Sequence, residues 1–222
     1  MSGLRAQENA GWAEYELRQY ASFDDLRDEL EAMRETGAVH AVLIRGERLS
    51  DAAAALAESE CRWLELFELP TLFVFDGELG GAALQVGLSC DIRICGPAGA
   101  FRVPIGSRRS LLLIGANASA DLLAVRGRVN AEGALAAGAV SHVAESSEEA
   151  LAEGRRLAEV ISSRGPIAVR LAKEAIWRGL EMPLSQALRF ETDLTLLLQT
   201  TKDRAEGVRA FLEKRQPNFT GE

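Results

Sequence analysis

Two short, almost continuously apolar segments flank a helical one, and this arrangement limits most strongly the folds that the chain can adopt. Residues 39–44 (VHAVLI) and 71–75 (TLFVF) are rich in β-branched and aromatic side chains, as strands buried on both faces are. Between them, residues 51–69 are rich in alanine, carry leucines and aromatics at helical spacing, and are followed by Pro70. This order of strand, helix and strand predicts a β-α-β unit, and therefore an α/β fold with a parallel sheet.

Further segments extend this prediction in both directions along the chain. A strand is expected at residues 13–18, and a helix is expected to begin after Ser22 and to end at Gly37. Beyond the unit we predict strands at 90–95, 101–103 and 139–143, and helices at 84–88, 118–125, 131–136, 147–162, 166–178, 183–199 and 203–214. The mixed pattern becomes wholly helical near residue 165. We therefore predict an α/β core, residues 1–165, and a C-terminal helical region, residues 166–222.

Charge and composition exclude several classes of function. The net charge is −8, and the basic residues are scattered without a basic block, which disfavours nucleic acid and anionic membranes as partners. No apolar run approaches the ~20 residues of a membrane span, and the first residues lack a signal-peptide core, so a cytoplasmic protein is expected. Cys61, Cys90 and Cys95 form no CxxC pair and are expected to be buried thiols of a reducing compartment. The two histidines, His40 and His142, are too far apart in sequence to indicate a metal site.

Small residues are concentrated directly after the second buried strand. Residues 76–83 (DGELGGAA) contain three glycines and two alanines and precede a helical stretch. Small side chains at this point let the backbone N–H groups of a helix N-terminus approach an electron-rich oxygen. Alone, however, the pattern is more typical of a tight strand-to-helix turn than of a binding site.

Five stretches, in the same order, resemble motifs of the crotonase (enoyl-CoA hydratase/isomerase) superfamily. They are 76–94 (DGELGGAALQVGLSCDIRI), 100–104 (AFRVP), 120–127 (ADLLAVRG), 130–140 (NAEGALAAGAV) and 202–221 (KDRAEGVRAFLEKRQPNFTG). Each motif alone is weakly specific, but together they place about residues 38–222 in register with the family. The chain is accordingly identified as a shortened and divergent member.

This resemblance implies a crotonase-like ββα spiral with a C-terminal helical trimerisation region, assembled as a homotrimer or hexamer. It also implies binding of a coenzyme A or acyl-carrier thioester, with no cofactor beyond the coenzyme A of the substrate. Family members direct two backbone N–H groups at the thioester carbonyl, and each such donor contributes ~3–4 kcal/mol in the transition state. By position, Gly81 and Ala82 would supply one donor, and Ala53 would supply the other.

The acid and base of the family's hydratases are missing. Their two glutamates, which position and activate water, correspond here to Gln85 and Ile105. A glutamine binds water but cannot take its proton, and isoleucine does neither. Glu78, within the glycine-rich turn, is a candidate substitute, although a solvated loop carboxylate is the commoner situation.

Other charged residues near these positions have ordinary explanations. Asp51 and Asp121 are most simply surface acids, and Asp91 is expected to accept backbone amides at the start of a strand. Arg102, Arg108 and Arg109 flank Ile105 and favour a solvated or ion-paired face over a clamp on an oxyanion. The N-terminal hairpin of the family is expected to be abbreviated to one strand.

Two functions remain open from the sequence. In the first, the protein binds an acyl thioester and catalyses a reaction that needs only a polarised carbonyl, such as decarboxylation or isomerisation assisted by Gln85 or a nearby loop group. In the second, it is a non-catalytic subunit that stabilises or regulates a partner acyl-CoA enzyme in a hetero-oligomer. The leucines of residues 184–198 give that helix more apolar surface than an exposed helix needs, so it is expected to dock onto the core or onto another subunit.

Overall fold

The computed structural model describes residues 7–9, 11–46, 56–102 and 128–222. Its strands are β1 (Gln7–Asn9), β2 (Trp12–Glu16), β3 (Ala41–Arg45), β4 (Thr71–Phe75), β5 (Glu78–Leu79), β6 (Ile92–Cys95), β7 (Ala100–Arg102), β8 (Arg128–Asn130) and β9 (His142–Val143). Its helices are α1 (Phe23–Thr36), α2 (Glu58–Glu65), α3 (Gly81–Ser89), α4 (Ala131–Ala136), α5 (Ser147–Ser162), α6 (Pro166–Gly179), α7 (Leu184–Leu198) and α8 (Lys202–Glu213). The predicted helices and strands of residues 103–127 lie outside the described residues.

The strands of the described residues form two sheets. The larger has the order β1-β2-β3-β4-β6-β9, and all of its pairs are parallel except β1 with β2. The smaller has the order β5-β7-β8. The β-α-β unit predicted from the sequence is confirmed, because β3 and β4 pair in parallel on either side of α2. The α/β class, with a parallel sheet and C-terminal helices, is confirmed as well.

Apolar layers cover both faces of the larger sheet. Phe73 of β4 belongs to a cluster with side chains of α1, α2 and α3 on one face, and Val74 belongs to a cluster with α5 on the other. Helix α5 approaches very closely at Gly154, where an added Cβ would lie 2.5 Å from Val74 Cγ2. Burial on both faces explains why the central strands are almost continuously apolar.

Local signals set the bounds of α1 as the sequence predicts. The Ser22 hydroxyl accepts the Asp25 N–H at 3.2 Å, and the Asp25 carboxylate accepts the Ser22 N–H at 3.1 Å, which is a complete capping box. Gly37 ends the helix in the left-handed region at φ 66°. This conformation costs glycine little.

The N-terminal prediction was wrong in one respect. A hairpin is present, because β1 pairs antiparallel with β2, whereas the sequence indicated one strand at residues 13–18. Strand β1 is polar and lies at the edge of the sheet, so it lacks the apolar alternation that marks a strand in sequence.

The predicted end of helix α2 was also wrong, because α2 ends at Glu65 and not at residue 69.

The last residues of the chain fold back across α8. The Asp203 carboxylate, on a residue only 4% exposed, accepts the N–H groups of Thr220 and Gly221 at 2.7 and 3.0 Å. Phe219 packs beside Gly165 and Gly207, where an added Cβ would lie 3.6 Å from its ring. The C-terminal motif is therefore explained by the packing of the tail.

An ion pair reinforces this tail. The Glu206 carboxylate accepts the Arg215 guanidinium at 2.6 and 2.9 Å and the Asn218 N–H at 3.0 Å. These hydrogen bonds, of which the one from Arg215 has the largest effect, lower the pKa of Glu206 to about 2.

None of the described helices has the length and apolar composition of a membrane span.

Candidate functional site

The glycine-rich segment places the N-terminus of α3 at the surface of the fold. Gly80 is the extended N-cap residue, and Gly81 begins the helix with φ 53°, in the region that favours glycine. The first N–H groups of a helix have no acceptor within that helix. In the described part of the chain, the first hydrogen bond of this turn is donated by Leu84 to the Gly80 carbonyl at 3.3 Å. The N–H groups of Gly81 and Ala82 are thus donors at the positive end of the helix dipole.

Close packing fixes the position of α3. Nearly all of its residues are buried, and Ala82 itself is only 4% exposed. Gly87 lies directly over the Phe73 ring, where an added Cβ would approach two ring carbons at 3.1 Å. A helix so constrained holds its terminal N–H groups in a fixed direction, which is the property that electrostatic catalysis requires of its donors.

Arg93 holds the other end of the same helix. Its buried guanidinium donates to the carbonyl oxygens of Cys90 at 2.5 Å and Ala139 at 2.7 Å, and more weakly to those of Gly87 and Leu88. Burial lowers the pKa of Arg93. The cation satisfies carbonyls that the last helical turn leaves unpaired, and it interacts favourably with the helix dipole. The arginine of the CDIRI stretch is therefore an anchor for α3.

The neighbouring cysteines are not available as nucleophiles. All three cysteines are free and buried, as the sequence predicts. Burial raises the pKa of Cys90 to about 12 and that of Cys95 to about 11. Both side chains therefore remain thiols near neutral pH, whereas the thiolate is the reactive form.

Gln85 lies on the second turn of α3 and is half-buried. Its side-chain oxygen accepts the Leu56 N–H at 2.5 Å, and its side-chain nitrogen donates to the Leu56 carbonyl at 3.1 Å. Both polar atoms of the carboxamide are thus engaged by one backbone residue. Leu56 directly precedes Ala57, the N-cap residue of α2, so Gln85 connects the starts of two helices.

Glu78 is an exposed, ion-paired residue of a strand and does not lie in a loop. It lies in β5, and its carboxylate accepts Nε of Arg102 at 2.5 Å and Nε of Arg128 at 2.9 Å. These two hydrogen bonds lower the pKa of Glu78, and the one from Arg102 has the larger effect. A carboxylate held in its ionised form is a poor general acid, and its pairing with Arg102 agrees with an ion-paired face.

The structure therefore brings together part of the predicted site. Gly81, Ala82 and Gln85 lie on the first two turns of α3, and Glu78 lies on the strand just before it. Several predicted or considered residues lie outside the described residues: Ala53, Ile105, Asp51, Asp121, Arg108 and Arg109. Within the described ranges, no group of three or more His, Cys, Asp or Glu side chains is arranged to hold a metal ion.

Asp91 accepts a backbone amide, as expected, and also makes contacts that the sequence does not reveal. Its carboxylate accepts the Thr71 N–H at 2.7 Å, just before β6 begins. It also accepts Trp177 Nε1 at 2.7 Å and lies 2.8 Å from Lys173 Nζ. Both partners belong to α6, so this cluster joins the C-terminal helices to the sheet. The one sequence feature that could have indicated this contact is Lys173 itself, since it is one of only three lysines in a chain whose other basic residues are arginines.

Comparison with known proteins gives the same family along most of the chain. The family model described as Enoyl-CoA hydratase/isomerase matches residues 36–222. A probable enoyl-CoA hydratase 2, mitochondrial, of Arabidopsis thaliana is 32% identical over 169 residues, which cover 72% of this chain and 56% of that protein. A crotonyl-CoA hydratase of Syntrophomonas wolfei is 33% identical over 175 residues, covering 74% of this chain and 67% of that protein.

The backbone agrees with solved structures of the same class. The crystal structure of an enoyl-CoA hydratase from Bacillus anthracis superposes with a TM-score of 0.82 at 25% identity, covering 98% of each chain. The fold is therefore the crotonase fold, and the chain belongs to the enoyl-CoA hydratase/isomerase (crotonase) family. It spans just over half the length of the Arabidopsis relative.

Proposed function

We propose that the protein binds an acyl thioester, of coenzyme A or of an acyl carrier, with its carbonyl oxygen at the N-terminus of α3. The observation that supports this proposal most strongly is the left-handed Gly81, which begins the helix and places the Gly81 and Ala82 N–H groups at the positive end of its dipole. Family membership supports the same ligand class, since the relatives named above are hydratases of CoA esters. Ala53 remains our proposal for the second donor.

The chemistry that we propose is not hydration. Hydration requires a group that takes a proton from water and a group that delivers one to carbon. Gln85 is a neutral carboxamide bound to the Leu56 backbone. The pKa of Glu78 is lowered by hydrogen bonds from two arginines, so this carboxylate carries no proton to deliver near neutral pH and is a weaker base than a free carboxylate. Decarboxylation needs chiefly a stabilised enolate, which backbone donors supply and which water can then protonate. Isomerisation also needs a group that moves a proton between two carbon atoms, so it would depend on assistance from a nearby loop group. Such reactions require no cofactor beyond the coenzyme A of the substrate.

A thioester panel tests this proposal. We expect acetyl-, crotonyl-, malonyl- and 3-enoyl-CoA to raise the melting temperature more than free coenzyme A does, because only the esters carry the carbonyl oxygen that α3 would bind. A ligand at a concentration of 100 times its Kd stabilises the folded protein by about 2.7 kcal/mol. We also expect no measurable loss of crotonyl-CoA absorbance, which would report hydration of its double bond. Each missing acid or base ordinarily accelerates such a reaction by about 10²–10⁴-fold. Hydration near the median enzyme turnover of about 10 s⁻¹ would contradict the proposal.

The same panel separates the two functions that the sequence leaves open. Turnover of a malonyl or 3-enoyl ester would support the catalytic alternative. Binding without turnover would support a non-catalytic subunit of a partner acyl-CoA enzyme, which the engaged state of Gln85 and Glu78 favours. Absence of any shift with all of the thioesters would contradict thioester binding and would favour a purely architectural subunit.

We further propose that the C-terminal helices form a subunit interface, in a homotrimer, a hexamer or a hetero-oligomer. Helix α7 has no buried residue in the single chain. Large apolar side chains are exposed along α6, α7 and α8: Ile176, Leu180, Leu184, Leu188, Leu196, Leu197, Val208, Phe211 and Leu212. Leu184 is 75% and Phe211 82% exposed, more apolar surface than a monomer usually leaves in one place.

Light scattering tests the assembly directly. We expect a particle mass that is a multiple of the 24.0 kDa chain mass, and we expect Leu184→Glu with Phe211→Glu to lower it. Leu135→Glu is the matched control, since Leu135 is a 45% exposed apolar residue of α4, which is not one of the C-terminal helices. A monomeric wild type would contradict self-association, as would a mass unchanged in the double variant.

A further inference from the structure

Gln85 occupies the family's glutamate position, yet its contacts are those of a backbone clamp. The carboxamide presents an acceptor and a donor side by side, and Leu56 presents its own N–H and carbonyl to both. We call this arrangement the Leu56–Gln85 pair. A carboxylate could accept the N–H but would place a second anionic oxygen against the carbonyl. The pair therefore fits glutamine and does not fit an ionised glutamate.

The pair links two parts of the fold that the sequence separates widely. Leu56 lies 29 residues before Gln85 and directly precedes the start of α2, while Gln85 lies one turn beyond Ala82 on α3. The Leu56 side chain also packs against the main apolar cluster. Leu56 is thus held by the packing of its side chain and by two hydrogen bonds between its backbone and Gln85 of α3. Helix α3 also carries the proposed N–H donors of Gly81 and Ala82.

We infer that Gln85 is a positioning residue, whose carboxamide fixes the Leu56 backbone against the first turns of α3 and so keeps the donor end of α3 in one arrangement. This inference rests on the proposed function for its effect on ligand binding. The clamp itself can be measured without any ligand.

A Gln85→Glu substitution would make the clamp dependent on pH. Only the protonated acid both accepts the Leu56 N–H and donates to the Leu56 carbonyl, so we expect the pKa of the introduced carboxyl group to lie above the usual ~4.3 of a glutamate. The stabilisation is then complete below the pKa of the unfolded chain. It is lost as the pH rises through the higher pKa of the folded chain.

Neighbouring charges do not supply this pH dependence. Helix α3 carries no charged residue of its own. The charged side chains described on α2, β5 and β7 are Glu60, Arg62, Glu65, Glu78 and Arg102. Glu60 accepts the Ala57 N–H, Arg62 pairs with Glu181 and lies 3.6 Å from Glu65, and Arg102 binds Glu78. Each therefore has a partner other than Gln85.

Hydrogen exchange at the Leu56 amide tests the inference in the full-length protein. In Gln85→Met, which keeps the volume and removes both hydrogen bonds, we expect the exchange rate to rise about tenfold. In Gln85→Glu, we expect a rate near that of the wild type at about pH 4 and a clearly faster one at about pH 8, after correction for intrinsic exchange. Gln186→Glu, the same substitution on the exposed face of α7, is the matched control and should show neither change.

Several outcomes would overturn the inference. It fails if Leu56 exchange is unchanged in Gln85→Met, or if Gln85→Glu shows the same pH profile as Gln186→Glu. A second readout is the Kd for acetyl-CoA, which should rise in Gln85→Met and recover in Gln85→Glu toward about pH 4. A role limited to filling space would show no such recovery. If Leu56 exchange responds while acetyl-CoA binds to neither wild type nor variant, the clamp stands and the proposed thioester binding fails.

Discussion

Replacement of Ala82 by proline is expected to lower the turnover of any thioester substrate by about 10²–10³-fold, the usual effect of removing one oxyanion donor. Proline lacks the N–H group that we assign to the carbonyl oxygen. Ala82 is the second residue of α3, and a proline in the first turn of a helix removes no intrahelical hydrogen bond. The substitution thus removes the donor and leaves the helix in place. If the protein only binds thioesters, the expected effect is a weaker Kd with an unchanged fold.

Ser185→Pro is the matched control for this experiment. Ser185 is likewise the second residue of its helix, α7, and it is exposed. We expect Ser185→Pro to leave turnover and thioester affinity at wild-type values, while both variants keep the circular dichroism spectrum of the wild type. Full activity or affinity in a folded Ala82→Pro protein would show that the Ala82 N–H does not contact the ligand.

Replacement of Asp91 by alanine is expected to lower the free energy of unfolding by about 3–5 kcal/mol. The Asp91 carboxylate contacts four groups, namely the Thr71 backbone N–H, the Thr71 hydroxyl, Trp177 Nε1 and the Lys173 ammonium. The Lys173 side chain is only 7% exposed, and within the described residues it also donates to the Leu69 carbonyl at 2.9 Å. Without Asp91, this buried cation would lose its carboxylate partner and keep the neutral Leu69 carbonyl, which is an expensive arrangement.

Chemical denaturation measures this effect, and a neighbouring ion pair provides the control. Glu174 pairs with Arg178 at 2.9 Å on the exposed side of α6, so Glu174→Ala removes a carboxylate from the same helix at a solvated site. We expect that change to cost at most about 0.5 kcal/mol, as exposed helical pairs do. If Asp91→Ala costs no more than Glu174→Ala, the cluster does not hold the C-terminal helices to the sheet.

The parts of the fold that were predictable from the sequence are those with strong local signals. Residues 71–75 form β4 as predicted, because a run buried on both faces is apolar throughout. The bounds of α1 follow from Ser22 and Gly37, whose own conformations begin and end the helix. Strands β5 and β8 were missed, since they have two and three residues, too few to show a period of two.

The contacts of the candidate site depend on residues far apart in sequence. The motif located Gly81 and Ala82, because a helix that begins with glycines after a strand has a local signature. It gave no sign of the Leu56–Gln85 pair, nor of the contact between Asp91 and Lys173, whose residues meet only in the folded chain. The motif of residues 90–94 contains Arg93, but the sequence does not show which groups this arginine contacts. That role follows from the four carbonyl oxygens around its guanidinium.

The ¹³C resonance of a bound acetyl-CoA labelled at its thioester carbonyl tests the central claim most directly. If the N–H groups at the start of α3 donate to this oxygen, the bound carbonyl resonance moves downfield from that of free acetyl-CoA, and the shift is lost in Ala82→Pro but kept in Ser185→Pro. A bound resonance at the position of the free ester, or an equal shift in Ala82→Pro, would contradict thioester polarisation by α3.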